Sequence, residues 1–262
     1  MKVTSVKNES VMRYRNLLRK REDVYIPLEG VRLICDAVNA GVQMEQVFCS
    51  EACLRSENGI RLQNLIEEFD VPFVEISATV SESMSDTKSP QGAFAIANWT
   101  PIICKDMGLG SDKRFVALDG VSDPGNVGTI VRTAAALGFD GVICGRDCAK
   151  FSNPKTLRAS MGSVFRTSCY ESNALGADIA NMKMKGCRVF VADADGCAVE
   201  GLETMLSSFI LVIGGEAFGP SKEVLELADE VLSIPMQRGV ESLNAGVAAG
   251  ILMYELRRKS EM

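Results

Sequence analysis

The sequence predicts an α/β protein in which a parallel-sheet domain follows a smaller α/β domain. From Arg114 onward, apolar strands alternate with helical segments, and helical crossovers of this kind join parallel strands that are covered on both faces. The segment 100–114, TPIICKDMGLGSDKR, has the Gly, Asp and Lys content of a linker. A chain of 262 residues has room for two domains. We therefore place the boundary near residue 105, which gives domains 1–105 and 106–262.

The first domain begins with a basic helix and continues as a small α/β unit. The pattern of apolar residues then predicts an amphipathic helix at 29–41 closed by Gly41, a strand at 46–50, a helix at 59–69, and strands at 72–77 and 92–99.

The second domain carries the stronger alternation. Strands are predicted at 115–121, 141–145, near 165, 188–194, 209–215 and 231–235, with helices at 126–137, 154–162, 175–185, 220–228 and 242–257. Ligands of open parallel sheets bind outside the carboxyl ends of the strands. The loops that follow these strands are therefore where a site is expected.

The composition excludes several kinds of chemistry. The chain has no histidine, so the usual general base, the usual zinc ligand and both classical catalytic triads are missing, and no metal site is predicted. No apolar run approaches the length of a membrane span. The nine cysteines form no C-x-x-C pair, and the first ten residues lack the apolar stretch of a signal peptide. Both observations favour reduced thiols in a cytoplasmic protein.

Basic residues are concentrated in two segments of an otherwise acidic chain. The net charge is −6, yet residues 1–22 hold seven basic and two acidic side chains, and a second basic cluster lies between Arg146 and Arg166. A single cluster of this kind is usually a solvated surface. Two clusters favour a surface that binds a polyanion.

The loop after the first strand of the second domain, VSDPGNVGTIVR, contains one basic side chain, Arg132. Asp123 and Pro124 break the strand, and Asn126 is expected to cap the next helix. Gly128 lies four residues before Arg132 on the same helix face, where it leaves the stem of the arginine accessible. The alternative is an arginine that is buried against a carboxylate.

Two further loops carry polar residues at strand ends. IGGEAFGPS surrounds Glu216 with glycines, which allow a ligand close to the backbone, but it matches neither a P-loop nor the G-x-G-x-x-G fingerprint. In IPMQRGVESLNAGVAAG, Ser242 is expected to cap a helix whose first turn contains Asn244. The alternative for this third loop is simply a well-capped helix.

Together and in this order, the three loops resemble the motifs of the SpoU/TrmH family of RNA 2'-O-ribose methyltransferases, which belong to the SPOUT superfamily. The resemblance spans 114–258, and the segment 153–166, NPKTLRASMGSVFR, is also similar to a family segment. In the first domain, YIPLEG and SPQGAFAIA resemble a ribosomal-protein-like RNA-binding domain. The residues that carry the main motifs are Asn126, Gly128 and Arg132, then Gly214, Glu216 and Gly219, then Ile234, Pro235, Met236, Ser242, Leu243 and Asn244.

The resemblance implies a trefoil-knotted second domain that binds S-adenosylmethionine and acts on RNA as a homodimer, in which residues of both subunits form the site. It assigns cofactor contacts, largely through backbone groups, to Gly214, Gly215, Gly219, Ile234, Met236 and Leu243. Catalytic roles fall to Arg132, Asn126, Asn244, Ser242 and Glu216. The RNA-binding candidates are Arg13, Arg15, Arg19, Arg21, Lys155 and Arg158.

Arg132 is expected to orient the ribose or an adjacent phosphate and to stabilise the developing alkoxide. In the family this arginine is often regarded as the general base, but a guanidinium does not deprotonate in proteins. The proton is therefore expected to leave to phosphate or water. Asn126 and Asn244 would hold the ribose or the arginine, Ser242 a phosphate, and Glu216 would support the cofactor.

This sequence departs from the family pattern at two places. The third motif continues Asn244-Ala245-Gly246-Val247 where many members have Asn-Val-Ser-Val, so a hydroxyl is missing at 246. The second has Ala217-Phe218 where a glycine commonly follows the glutamate. We expect 23S rRNA as the substrate, with transfer RNA as the alternative. A non-catalytic RNA-binding protein on the same fold and a nicotinamide-dependent oxidoreductase stay open as rival classes.

Overall fold

The computed structural model describes residues 2–19, 24–87, 90–104, 112–202, 207–237, 239 and 242–260. Contacts divide the chain into two units, Met1–Thr100 and Pro101–Met262. The predicted boundary at residue 105 lies outside the described residues. Ile102–Ile103, which fall in the predicted linker, form a short strand of the second unit.

The first unit is built around a five-stranded mixed sheet with the order β1-β4-β3-β5-β2. Strands β1, β3 and β4 are parallel, and β5 runs antiparallel to both β3 and β2. The strands are β1 (Lys2–Val3), β2 (Tyr25–Glu29), β3 (Gln43–Ser50), β4 (Phe73–Ile76) and β5 (Ala93–Asn98), and the helices are α1 (Glu9–Arg19), α2 (Val31–Asn39), α3 (Glu51–Leu54), α4 (Glu57–Glu68) and α5 (Ala78–Met84).

The basic first helix has an apolar side that anchors it to this sheet. Val11, Tyr14 and Leu17 recur at three-residue spacing and are buried in one cluster with Phe48 and Phe94. The Tyr14 ring meets Phe94 edge-on at 5.6 Å between centroids. The basic side chains of α1 therefore occupy its remaining faces.

The second unit contains a seven-stranded sheet in which every strand pair is parallel, with the order β12-β10-β11-β7-β8-β9-β6. The strands are β6 (Ile102–Ile103), β7 (Arg114–Asp119), β8 (Gly141–Cys144), β9 (Ser168–Glu171), β10 (Arg188–Ala198), β11 (Phe209–Gly214) and β12 (Glu230–Ser233). The helices are α6 (Pro124–Ala136), α7 (Pro154–Ser160), α8 (Leu175–Met184), α9 (Lys222–Leu227) and α10 (Ala245–Ser260).

The strand order reverses between β7 and β11. From β7 the chain proceeds outward through β8 to β9, and it later returns to add β11, β10 and β12 on the other side. Such a reversal opens a crevice at the carboxyl ends of the strands, where α/β proteins bind ligands. The predicted α/β architecture with a parallel sheet is confirmed.

One predicted strand is misplaced. The strand expected near 165 is a turn of 3-10 helix, Ser163–Phe165, and the strand follows at Ser168–Glu171. Left-handed backbone at Met161 and Gly162 ends α7 and leads the chain into this turn.

Within the described residues, no helix is long and apolar enough to cross a membrane.

Candidate active site

A cavity of about 420 Å³ lies at the carboxyl ends of β10, β11 and β12. All six positions that the sequence assigned to a cofactor line it: Gly214, Gly215, Gly219, Ile234, Met236 and Leu243. Glu216, Ser242 and Asn244 line it as well. The structure thus gathers residues from the second and third loops around one concavity, and their binding of a cofactor stays a prediction.

Sequence reasoning missed the contribution of β10 to this cavity. Ala192, Asp193 and Ala194 line it, and Asp193 brings a carboxylate. The signal was present, because Asp193 directly follows the apolar run Val189–Ala192 of a strand whose carboxyl end faces the crevice. Leu252 and Ala248 of α10 supply apolar wall.

The loop after β11 is closed by contacts that only glycine permits. A Cβ on Gly214 would lie 2.1 Å from the Pro220 nitrogen, and one on Gly215 would lie 2.4 Å from the Gly120 carbonyl oxygen. The N–H of Gly219 donates to the Gly215 carbonyl at 2.9 Å, and Gly219 has a φ of 65°. The glycines therefore keep the backbone close to the cavity and to the neighbouring loop.

A chain of side-chain hydrogen bonds connects all three loops. Asn244 Nδ2 donates to Asn126 Oδ1 at 2.9 Å, and Asn126 Nδ2 donates to Glu216 Oε1 at 2.6 Å. We call these three residues the amide relay. Asn244 Oδ1 accepts from the N–H groups of Gly246 and Val247 at 3.0 and 3.3 Å. Since that oxygen is engaged, the nitrogen of Asn244 faces Asn126, and the direction of every bond in the relay is set.

The two residues predicted to cap helices, Asn126 and Ser242, are not the caps. Asp123, not Asn126, caps α6 by accepting from the Asn126 N–H at 3.0 Å, with Pro124 in the first turn. Asn244, not Ser242, performs this role for α10, which begins at Ala245. The side chain of Asn126 is consequently free to join the relay.

The Asp123 carboxylate carries a second interaction. Lys155 Nζ of α7 donates to its Oδ2 at 2.9 Å, and both side chains are partly exposed. The hydrogen bond from Lys155, together with the bond from the Asn126 N–H, holds the pKa of Asp123 below its ordinary value of 3.8. The start of α6 is thus tied to α7.

Gly128 serves a purpose that the sequence did not reveal. A Cβ at this position would lie 2.6 Å from Ala159 Cβ and 2.6 Å from the Thr156 carbonyl oxygen, so α6 and α7 touch here backbone to backbone. The prediction that Gly128 clears access to the stem of Arg132 is therefore wrong. Its absent side chain accommodates a neighbouring helix.

Arg132 lies on the exposed face of α6. Within the described ranges its guanidinium makes no hydrogen bond or ion pair, which rules out the alternative of an arginine buried against a carboxylate. The neighbouring Thr129 and Thr133 border α10, because Cβ atoms on Gly246 and Gly250 would lie 3.3 and 3.8 Å from their Cγ2 atoms. Arg132 thus adjoins Thr133, which borders α10, and among the described residues no hydrogen bond joins it to the amide relay.

The predicted RNA-binding residues are spread over both units. Arg13 Nη2 pairs with Glu45 at 2.8 Å and its guanidinium lies 4.6 Å from the centre of the Tyr25 ring. Arg19 is exposed, and Arg15 is half-buried. Lys155 is paired with Asp123, Arg158 of α7 is half-buried, and Arg21 lies outside the described residues. Among the described residues, no group of three or more Cys, Asp or Glu is arranged to hold a metal ion.

A parallel sheet whose strand ends surround a cavity bordered by convergent polar side chains is the arrangement in which α/β enzymes bind a cofactor. Residues 113–254 match the SpoU rRNA Methylase family, and residues 5–95 match the MRM3-like substrate binding domain. The chain belongs to the SpoU rRNA methylase family, which confirms the resemblance of its motifs.

Two relatives and one solved structure illustrate the similarity. The chain is 34% identical over 281 aligned positions to rRNA methyltransferase 3A, mitochondrial, from Danio rerio, covering 88% of this chain and 63% of that protein. It is 30% identical to 23S rRNA (guanosine(2553)-2'-O)-methyltransferase RlmP from Bacillus subtilis (strain 168), covering 97% and 98%. The AdoMet-bound rRNA methyltransferase from Sinorhizobium meliloti superposes with a TM-score of 0.85 at 26% identity, covering 98% and 97%. The chain thus spans less than two thirds of the Danio rerio relative and nearly all of the others.

Proposed function

We propose that this protein is an S-adenosylmethionine-dependent RNA methyltransferase that acts on a ribose 2'-OH. The observation that carries the proposal is the amide relay, which joins the three motif loops at the edge of the cavity through bonds of 2.9 and 2.6 Å. A binding protein that only kept the fold would have no need to fix the direction of these bonds beside a cofactor-sized cavity.

The cavity suits S-adenosylmethionine in size and in charge. Its volume of about 420 Å³ falls in the range of small-molecule sites, and its glycine-rich wall exposes backbone groups to a ligand. Asp193 and Glu216 supply carboxylates against a cationic sulfonium centre. When bound, the cofactor supplies an electrophilic methyl group. The protein must hold an oxygen nucleophile in line with that methyl, and positioning of this kind can supply roughly 7 to 11 kcal/mol of the barrier.

The amide relay and Arg132 would act on different groups of the RNA. Glu216 Oε1 accepts from Asn126, and no described donor reaches Oε2, so this oxygen can accept a hydrogen bond from a hydroxyl of the ligands. Arg132 is an exposed cation that can bind the adjacent phosphate and stabilise the negative charge as the 2'-OH loses its proton to phosphate or water. Ser242, which lines the cavity, would bind a phosphate.

We infer that the enzyme is a homodimer, because α10 exposes an apolar stripe. Val247, Ile251 and Tyr254 recur at four- and three-residue spacing on one side of the helix and are 51%, 38% and 56% exposed. The opposite side, which includes Leu252 and Leu256, is buried in the unit. A second copy would cover the stripe in the C2 arrangement that most homodimers adopt. A trefoil knot in this unit is part of the same proposal, and so is a cytoplasmic location.

Ribosomal RNA is the proposed substrate. The Bacillus subtilis relative is named for 23S rRNA and aligns over 97% of this chain, and the first unit matches an MRM3-like substrate binding domain. Transfer RNA is the alternative that the experiment below distinguishes.

Calorimetry with S-adenosylmethionine, run beside tritiated methyl transfer to unmodified ribosomal and transfer RNA, tests the proposal. We expect saturable binding, and label from ribosomal RNA in alkali-resistant dinucleotides, which form only where a ribose 2'-OH is methylated. Label in alkali-sensitive nucleotides would contradict ribose methylation, and label in transfer RNA alone would change the substrate. Absence of cofactor binding would favour an RNA-holding protein.

A further inference from the structure

Phe218 projects from the loop after β11 into solvent. The residue is 96% exposed, the largest exposed fraction of any large apolar residue among the described residues. A phenyl ring in water forgoes the stabilisation of roughly 1.5 to 3 kcal/mol that burial would provide. This exposure leaves the ring available for contact with a ligand or another molecule.

Hydrogen bonds hold the loop backbone on both sides of Phe218. The N–H of Gly219 donates to the Gly215 carbonyl at 2.9 Å, and the N–H of Gly215 donates to the Asp119 carbonyl at 2.8 Å. Pro220 is buried at the end of the turn. Both ends of the turn that carries Phe218 are therefore fixed.

The ring lies next to the amide relay but outside the cofactor cavity. Phe218 follows Glu216 by two residues, so their Cα atoms are at most about 7.6 Å apart. Gly215, Glu216 and Gly219 line the cavity, whereas Phe218 does not. Phe218 thus lies close to Glu216 along the loop and outside the cavity proposed for the cofactor.

We propose that Phe218 is the stacking platform for a nucleobase of the RNA, either the base of the methylated nucleotide or its immediate neighbour. The inference rests on the proposed function, which places a ribose beside the relay and hence its base within reach of the loop tip. Sequence-specific RNA recognition targets unstacked bases, which aromatic side chains receive face to face. A phenyl ring has no hydrogen-bonding group, so Phe218 positions a base without reading its identity.

Three substitutions at this position separate stacking from apolar bulk. Stacking of one base is worth enough to change affinity about 5- to 150-fold. With a 23S rRNA transcript, we expect Phe218→Ala to raise KM within this range and Phe218→Leu to raise it similarly, because leucine keeps apolar area but cannot stack. Phe218→Trp should retain the wild-type KM, because the indole can still stack. The Kd for S-adenosylmethionine should be unchanged in all three, since Phe218 lies outside the cavity.

Fluorescence of the Phe218→Trp variant reports contact directly. Binding of the transcript should quench the emission of the introduced indole, and the signal of the single natural tryptophan, Trp99, is subtracted with the wild-type protein. Absence of quenching, or a wild-type KM in both Phe218→Ala and Phe218→Leu, would overturn the proposal. So would a lower molecular mass of Phe218→Ala in light scattering, because the ring would then contact a second copy of the chain. If the wild type transfers no methyl group, the proposed function fails, while quenching by the transcript still decides whether Phe218 stacks on RNA.

Discussion

At the scale of single residues, Asn126 is held from both sides. Its nitrogen donates to Glu216 and its oxygen accepts from Asn244, whose own oxygen is engaged by two N–H groups of α10. Reversing the Asn126 amide would place nitrogen against nitrogen and oxygen against a carboxylate oxygen. The first turn of α10 thus determines, through two amides, which atom faces Glu216.

Asn126→Asp removes the donor to Glu216 and sets two carboxylates against each other. A hydrogen bond to a charged group contributes roughly 1.5 to 3 kcal/mol, so we expect kcat for methyl transfer to fall about 10- to 100-fold or more. The measurement is single-turnover methylation of 23S rRNA at saturating cofactor.

A double variant provides the control for this change. With Asn126→Asp and Glu216→Gln together, the carboxamide at 216 can donate to the carboxylate at 126, and part of the lost rate should return. Losses that simply add in the double-mutant cycle would show that the two residues do not act through their hydrogen bond.

Arg132→Ala should abolish most turnover without affecting the fold. One fixed donor to a developing oxyanion is worth about 10²- to 10³-fold in kcat. Because no described group pairs with the guanidinium, unfolding free energy should change by no more than about 0.5 kcal/mol. Arg132→Lys keeps the charge but loses the planar fork of the guanidinium, so its kcat should lie between those of the wild type and Arg132→Ala. Stopped assays with a parallel urea titration measure both quantities, and full turnover by Arg132→Ala would refute the assignment.

The residues of this site could be chosen from the sequence, but their partners could not. Asp123 and Asn126 are both good cap residues, and only Pro124, which favours the first helical position, marks Asp123 as the cap. For Ser242 and Asn244 the local sequence offers no such signal. The structure distinguishes them, because Asn244 caps α10 and also bonds to Asn126, 118 residues earlier in the chain.

At the scale of elements, the pairing of α6 with α7 depends on Gly128. Gly128→Ala would force a methyl group within 2.6 Å of Ala159 Cβ and the Thr156 carbonyl oxygen. Overpacking of this kind costs about 1 to 3 kcal/mol, and we expect a lower urea midpoint with an unchanged m-value.

Gly250→Ala in α10 is the matched substitution. Its Cβ would meet only Thr133 Cγ2, at an ordinary 3.8 Å, so the better helix propensity of alanine should leave stability equal or raise it by up to about 1 kcal/mol. Equal destabilisation by both substitutions would mean that glycine matters at 128 for a reason other than the contact with α7.

Asp123 makes the start of α6 sensitive to acid. Its pKa is lowered in the folded protein by Lys155 and by the Asn126 N–H, so its charge contributes stability above the unfolded value near 3.8. That contribution is lost as the pH falls through the lower folded pKa. Asp123→Asn keeps a cap but loses the charge, so the advantage of the wild type in thermal unfolding should be present at pH 7 and shrink towards zero below about pH 4.

Asp123→Ala separates capping from charge. It should cost about 1 kcal/mol relative to the asparagine variant at every pH, because the cap itself is removed. A difference between wild type and Asp123→Asn that does not depend on pH would argue against the ion pair with Lys155.

At the scale of the whole molecule, the alternation of strands and helices sufficed to predict a parallel sheet, because crossover helices permit little else. The order β12-β10-β11-β7-β8-β9-β6 was not accessible, since no local pattern tells which strands become neighbours. Ile102–Ile103 show that local composition does not predict which segments pair. Two residues pair with β9 inside a stretch whose composition is that of a linker.

The exposed stripe of α10 permits a test of the homodimer by charge. Ile251→Asp would place a carboxylate in the proposed apolar interface, and in a C2 dimer it would do so twice, so we expect the dimer Kd to rise at least about 100-fold. Met184→Asp is the matched control, because Met184 of α8 is 81% exposed and lies outside the stripe. Light scattering should give twice the chain mass for the wild type and Met184→Asp and a single chain mass for Ile251→Asp. Since the family resemblance implies that both subunits contribute to the site, the monomeric variant should also lose methyl transfer. A dimer that survives Ile251→Asp would move the interface away from α10, and a monomeric, active wild type would show that the amide relay and Arg132 of one chain suffice.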